Sequence, residues 1–207
     1  MSRRTYDASR RQESAALTRT AVLDAARSLF VERGYAATTM GAVATQAGVA
    51  TATAAAAFGG KAALLKQLVN IAIVGDDDPV PVRERQVAAD VAATSDAHEQ
   101  VALLAAFVTE AHGRLADLYD VMQQASGSDA DVMADLQGHQ QGRHEGMAEF
   151  VAHIDPDKLR MDAALAADIV WALTDPRLYT GLVREHGWTA EQYQTWLTEQ
   201  LSAALLS

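Results

Sequence analysis

Apolar side chains recur every three to four residues along almost the whole chain, and a two-residue alternation with polar ones is absent. The pattern predicts helices throughout. A first helix runs to about Arg33, with Val22, Leu23, Ala26, Leu29 and Phe30 on one stripe, and Gly34 ends it in the left-handed role glycine takes at helix ends. Thr38 or Thr39 caps a short helix from Met40 to about Ala47. Gly48 makes a turn, and Ala50 to Phe58 forms another short helix. After Gly59-Gly60, Lys61 to about Val74 carries Leu64, Leu65, Leu68, Val69 and Ala72 on one face. Residues 1–12 read as a polar, Arg-rich and mobile arm.

The run Gly75-Asp76-Asp77-Asp78-Pro79-Val80-Pro81 breaks any helix and sets a domain boundary. Its three aspartates lack the alternating oxygens, central glycine and terminal glutamate of a calcium loop, so they read as a solvated linker. Beyond it, helices fit Val82–Ala93, Asp96–His112, Arg114–Ala125, Ala130–Ile154, Pro156–Thr174, Pro176–His186 and Ala190–Leu206. Asp155-Pro156 and Asp175-Pro176 each place a capping carboxylate before a proline, and Thr189 to Gln192 has the form of a capping box. The expected fold is all-α. An N-terminal three-helix helix-turn-helix head, residues 1–66 with a linking helix to about 75, joins a larger helical body, residues 76–207.

Residues 40–58 have the spacing of a DNA-reading helix-turn-helix. Val43 and Ala47 face inward, Ala44 is small where two helices cross, Gly48 turns the chain, Val49 returns to the core and Phe58 anchors the end. Such a crossing projects the second helix, which a major groove about 12 Å wide admits. An ordinary helical hairpin shares this spacing.

Charge bears on that choice. The chain's net charge is -10, which alone disfavours a nucleic-acid partner. Residues 1–66, however, hold nine Lys/Arg against four Asp/Glu, a net of +5, and the remainder holds eight against 23, a net of -15. A basic head approaches phosphates while an acidic body is repelled and orients it. Cysteine is absent, which excludes disulfides and thiolate chemistry, and no apolar run is long enough to span a bilayer. No hydrophobic stretch follows the basic N-terminus as a signal peptide requires. A cytoplasmic protein without a cofactor or metal is expected.

The stretch Leu17-Thr18-Arg19-Thr20-Ala21-Val22-Leu23-Asp24-Ala25-Ala26-Arg27-Ser28-Leu29-Phe30-Val31-Glu32-Arg33-Gly34-Tyr35 resembles the first helix of the tetracycline-repressor (TetR) family. Ala37-Thr38-Thr39-Met40, Ala47-Gly48-Val49 and Phe58-Gly59-Gly60-Lys61-Ala62-Ala63-Leu64-Leu65 continue the likeness over residues 17–70. Trp171 to Tyr179 and Gly187-Trp188 are similar to a common actinobacterial subgroup. The resemblance implies a homodimer with two operator-reading heads and a body that binds a small-molecule effector and releases the DNA. The candidate DNA contacts it implies are Thr38, Thr39, Gly41, Thr51, Thr53, Ala55 and Lys61, with Thr39 and Lys61 on phosphates and Thr51 and Thr53 toward the groove. One departure stands out. The family carries a bulky apolar residue and then an aromatic, mostly tyrosine, where this chain has Ala54 and Ala55 within Ala54-Ala55-Ala56-Ala57. Alanine keeps the helix but offers no hydrogen bond, only contact such as it makes with a thymine methyl.

In the body, Phe107, His112, Tyr119, Met122, Met147, Phe150, Trp171 and Tyr179 are the candidate ligand contacts, with Val151 beside them. An aromatic and methionine set of this kind equally describes plain core. The stripes Leu159, Ala163, Ala166, Ile169, Val170, Leu173 and Tyr193, Trp196, Leu197, Leu201, Ala204, Leu205 are assigned in part to a dimer interface. His139 and His144 stand five apart, the wrong spacing for a metal pair on one helical face, so they read as a solvated face. Ser126-Gly127-Ser128-Asp129 and His153-Ile154-Asp155 hold hydrolase residue types without a nucleophile elbow, so no catalysis is expected. The rival readings are a helical adaptor with a degenerate head and, more distantly, a small hydrolase.

Overall fold

The computed structural model describes the backbone of residues 3–207 and the side chains from Ser14 onward. Ten α-helices follow in order: α1 (Arg3–Ala37), α2 (Met40–Gln46), α3 (Thr51–Phe58), α4 (Lys61–Val74), α5 (Gln86–Ala93), α6 (Ala97–Ser126), α7 (Ala130–Val151), α8 (Ala163–Leu173), α9 (Pro176–Tyr179) and α10 (Ala190–Leu205). No strand forms among the described residues, which leaves one isolated antiparallel bridge between Leu159 and Leu206. The chain is all-α, as its periodicity requires.

Two compact units make up the fold. The first holds residues up to Val69 together with Asp117–Ala134. Its core is built from the predicted α1 stripe, from Val43, Ala44 and Ala54, and from Leu64, Leu65, Leu68 and Val69 on α4. Leu118, Tyr119, Met122 and Val132 are buried in the same unit, from a segment that the sequence placed in the body. That segment adds Asp117, Asp120, Asp129 and Asp131, so the unit's net charge falls from +5 to +1. The second unit holds Asn70–Ala116 and Asp135–Ser207. Its core runs through Val101, Leu104, Ala105, Val108, Phe150, Val151, Ala166, Val170, Tyr193, Leu197, Leu201 and Leu205.

Several boundaries differ from those the sequence suggests. The α1 backbone is helical from Arg3, where a mobile arm is expected; Met1, Ser2 and the arm's side chains lie outside the described residues. Gly34 does interrupt α1, with φ 75° and ψ 171°. Two expected helices merge into α6 straight through Gly113, because the missing side chain there admits the Tyr179 hydroxyl: a Cβ would sit 3.3 Å from it. The expected helix 156–174 instead splits. Asp155 caps only the short 3-10 turn Pro156–Lys158, Leu159 bridges to Leu206, and Asp162 caps α8 by accepting from the Leu165 amide. Likewise Pro176 opens α9 but the helix passes into a π-type turn over Thr180–Glu185. The Thr189–Gln192 capping box forms as predicted.

The acidic linker is pinned rather than simply solvated. Arg85 donates to both Asp76 oxygens, at 2.7 and 2.9 Å. Its guanidinium, with the Asp78 amide, holds the Asp76 carboxyl down at about 2. Arg114 closes the other side of the break, donating to the Ala72 and Ile73 carbonyls at the C-terminus of α4, where a cation is favoured.

Candidate functional site

The helix-turn-helix is built by three local devices. Thr39 caps α2 by accepting from the Ala42 amide at 3.1 Å. Gly48, at φ 69°, supplies the left-handed turn residue that a side chain would resist. The Val49 amide then donates to the Ala44 carbonyl, closing the turn. Ala54 is fully buried, so α3 packs through a methyl group and turns Thr51, Ala52, Thr53, Ala56 and Ala57 outward. Val43 and Ala44 are buried as expected, whereas Ala47 and Val49 are only half-buried. The half-buried Phe58 carries the Arg19 guanidinium over its ring, 4.6 Å from the centroid.

Among the candidate DNA contacts, Thr39, Thr51 and Thr53 are exposed and Gly41, Ala55 and Lys61 half-exposed. The Thr39 oxygen is used as a cap acceptor, which leaves its O–H free to donate. Thr38 stands apart: it is fully buried, and its hydroxyl donates to the Leu29 and Gly34 carbonyls. Its side chain therefore locks α1 to the start of α2 and offers nothing to a phosphate. Lys61 is also engaged within the unit. Its ammonium donates to the Tyr35 carbonyl at 2.9 Å and lies 3.9 Å from the centroid of the Tyr35 ring. An ammonium has three donors, so a phosphate contact is compatible with that bond. The Tyr35 hydroxyl in turn donates to Asp129 at 2.6 Å, and this bond, with the Val132 amide, holds the Asp129 carboxyl below its ordinary range.

The second unit contains two adjoining cavities. One of about 250 Å³ is lined by Phe107, Val108, Ala111, His112 and Leu115 from α6 and by His139, Gly142, Arg143, Gly146 and Met147 from α7. Ile73, Val82, Thr174 and Pro176 complete it. The other, of about 360 Å³, shares Val82, Phe107, Gly146 and Met147 and extends along α5 to Phe150. His112 is buried against the Tyr179 and Tyr193 rings, with centroids 6.1 and 6.4 Å away. Burial, and then the Arg143 charge, push its pKa down to about 3, so the ring is neutral at pH 7. The same two causes hold His139 at about 4. Arg143 donates to the Trp171 and Thr174 carbonyls at the end of α8 and stacks over the Trp171 ring at 4.6 Å. Asp175 lies 3.7 Å from Arg143. Burial raises the Asp175 pKa, but its bonds from Arg177 outweigh that and leave it lowered.

Of the candidate ligand contacts, Phe107, His112, Met147 and Phe150 line these cavities. Tyr179 packs behind His112, and Trp171 opens onto a shallow surface hollow with His144 and Asp168. Tyr119 and Met122 are buried core of the first unit, so they are not part of this site. Sequence reasoning missed His139, Arg143, Gly142 and Gly146. His139 and His144 do not form the solvated face expected of them: His139 lines the cavity, and His144 meets Asp168 at 2.7 Å. The Ser128 hydroxyl donates to the Ala125 carbonyl in the first unit, and His153 belongs to the second. No single helix among the described residues is long and apolar enough to cross a membrane.

Residues 22–68 match the family model described as bacterial regulatory proteins, tetR family. No match is found among curated proteins. Solved structures share the fold over nearly the whole chain. NalD, the secondary repressor of the MexAB-OprM multidrug efflux pump in Pseudomonas aeruginosa, superposes with a TM-score of 0.71 at 20% identity, covering 94% of this chain and 98% of that one. The SmeT–triclosan complex gives 0.69 at 20% identity, covering 92% of each chain. A FadR regulator from Bacillus subtilis, bound to stearoyl-CoA, gives 0.66 at 19% identity, covering 89% and 98%.

Proposed function

We propose that this chain, whose residues 22–68 carry the tetR-family domain, is a ligand-responsive transcriptional repressor of the cytoplasm, acting as a homodimer on operator DNA. The observation that carries the reading is the α2–Gly48–α3 crossing inside the matched residues, with Thr51 and Thr53 on an exposed α3 face. Thr39, Gly41, Thr51, Thr53, Ala55 and Lys61 are the surface residues assigned to DNA. Thr38 shapes the entry to α2 from inside. Thr51 and Thr53 supply the direct base contacts, and the alanines contribute only apolar ones.

The cavities of the second unit support an effector site. SmeT and FadR, which share the fold, are described with triclosan and stearoyl-CoA bound. The effector must bind the DNA-incompetent state better than the other, or it shifts nothing. No catalytic role is assigned.

Fluorescence anisotropy of the full chain tests the reading, with duplex from upstream of its own gene against random duplex at fixed salt. Specific binding at least about 10³-fold tighter is expected. Affinity should fall with salt, each neutralised phosphate adding about -0.9 to the slope of log K against log salt. Equal affinity for the two duplexes would instead favour the adaptor reading, to which the alanine face of α3 lends support.

A further inference from the structure

Two residues without side chains border the 250 Å³ cavity on α7. Gly142 and Gly146 stand four residues apart on one face of α7, and a Cβ at either would meet nothing within 4 Å. Opposite them the wall is apolar, with Phe107, Val108, Ala111 and Leu115. An engineered apolar cavity of about 150 Å³ holds benzene, so this one has room for a single ring bearing a substituent.

The polar lining is concentrated and one-sided. His112, His139, Arg143 and Thr174 contribute it, and none of the described lining residues is acidic. His112 Nδ1 has no hydrogen-bond partner among the described residues, so its ring keeps bonding capacity that the protein does not use. Both histidines are neutral at pH 7, and Arg143 is the charged group in the lining. The carboxylate nearest to Arg143, Asp175, lies outside the cavity lining and is shared with Arg177. A cationic amine would meet like charge here, the carboxylates of Glu84 and Glu149 lining the adjoining cavity instead. An acidic oxygen would meet imidazole N–H donors and a positive potential.

Taking the second unit as the effector-binding body, we propose that this cavity binds a substituted single-ring aromatic acid. Its ring lies among Phe107, Val108, Ala111 and Met147, and its acidic oxygen, phenol or carboxylate, turns to His112, His139 and Arg143.

Calorimetry on the full chain with four probes of one shape decides this: 4-propylbenzoate, 4-propylphenol, propylbenzene and 4-propylbenzylamine. At least one acid should bind about tenfold tighter than the hydrocarbon and the amine, a difference of about 1.4 kcal/mol. Tighter phenol means a head bonded chiefly to the neutral histidines; tighter benzoate means one held chiefly by the Arg143 charge. Gly146→Leu should abolish binding while leaving the circular dichroism unchanged and the melting temperature no lower than the parent's, since it fills open space and favours the helix. His112→Leu should weaken the acids about tenfold and leave propylbenzene unaffected. The assignment is overturned if no probe binds, if the amine matches the acids, or if Gly146→Leu binds like the parent. Parallel anisotropy with operator DNA separates the two claims. A probe that binds without weakening DNA binding upholds the aromatic-acid site and sinks the ligand-responsive reading.

Discussion

Tyr35 shows how much one side chain can organise. Its carbonyl accepts from Lys61, its ring carries the Lys61 ammonium and its hydroxyl donates to Asp129. Tyr35→Phe removes the last of these alone. The Asp129 pKa is lowered in the fold, so the stability gained from this bond is present above the ordinary carboxylate range and is lost as pH falls through the folded value. Tyr35→Phe should therefore melt below the parent protein at pH 7, and the gap should close on acidification. A gap independent of pH, read by scanning calorimetry, would mean that Asp129 is not the partner that matters. None of this was legible in the sequence, because Asp129 lies 94 residues from Tyr35 and a helical period carries no record of such a pairing. His139 escaped for a related reason. Its spacing to His144 suggested a solvated face, while its place on α7 beside two glycines puts it in the cavity lining.

Helices were legible where a local device starts or stops them. Thr39, Gly48, Asp175-Pro176 and the Thr189–Gln192 box act within four residues and are all found in their roles. Gly113 misled because the space it leaves is claimed from a distant element, and Pro156 misled because one turn after it the chain bridges to Leu206. Two glycine substitutions separate these meanings. Gly113→Leu should destabilise by about 1–3 kcal/mol through overpacking against Tyr179. Gly138→Ala, on an exposed part of α7 with nothing within 4 Å of the new Cβ, should stabilise by about 0.8–1 kcal/mol through helix propensity. Urea titrations of both variants would show it, and a stabilising Gly113→Leu would contradict the close approach of Tyr179.

For the molecule as a whole, charge and assembly matter more than any single contact. The basic head read from residues 1–66 becomes nearly neutral once the unit takes in residues 117–134, so the proposed DNA binding would depend on where the lysines and arginines sit rather than on the unit's total. We propose α8 and α10 as the faces of a homodimer. Trp196, an obvious anchor from the sequence, packs within its own chain against Trp188 and Tyr193. Leu165 on α8, 49% exposed, is the better probe. Leu165→Glu would bury an unpaired carboxylate on each side of the interface, at a cost of several kcal/mol. Light scattering should then report a monomer at concentrations where the parent is a dimer. An unchanged dimer would move the interface to another face.

The outward face of α3 is close to a blank page. Ala52, Ala56 and Ala57 are exposed, and their methyl groups leave room for longer side chains above them. Ala54 is the fully buried residue of α3 and Phe58 its half-buried end, so each of these exposed positions can acquire a longer side chain without surrendering a buried contact. On the proposed reading of this helix, each such side chain would be a new contact to the groove gained in a single step, with the Ala54 methyl left in its place.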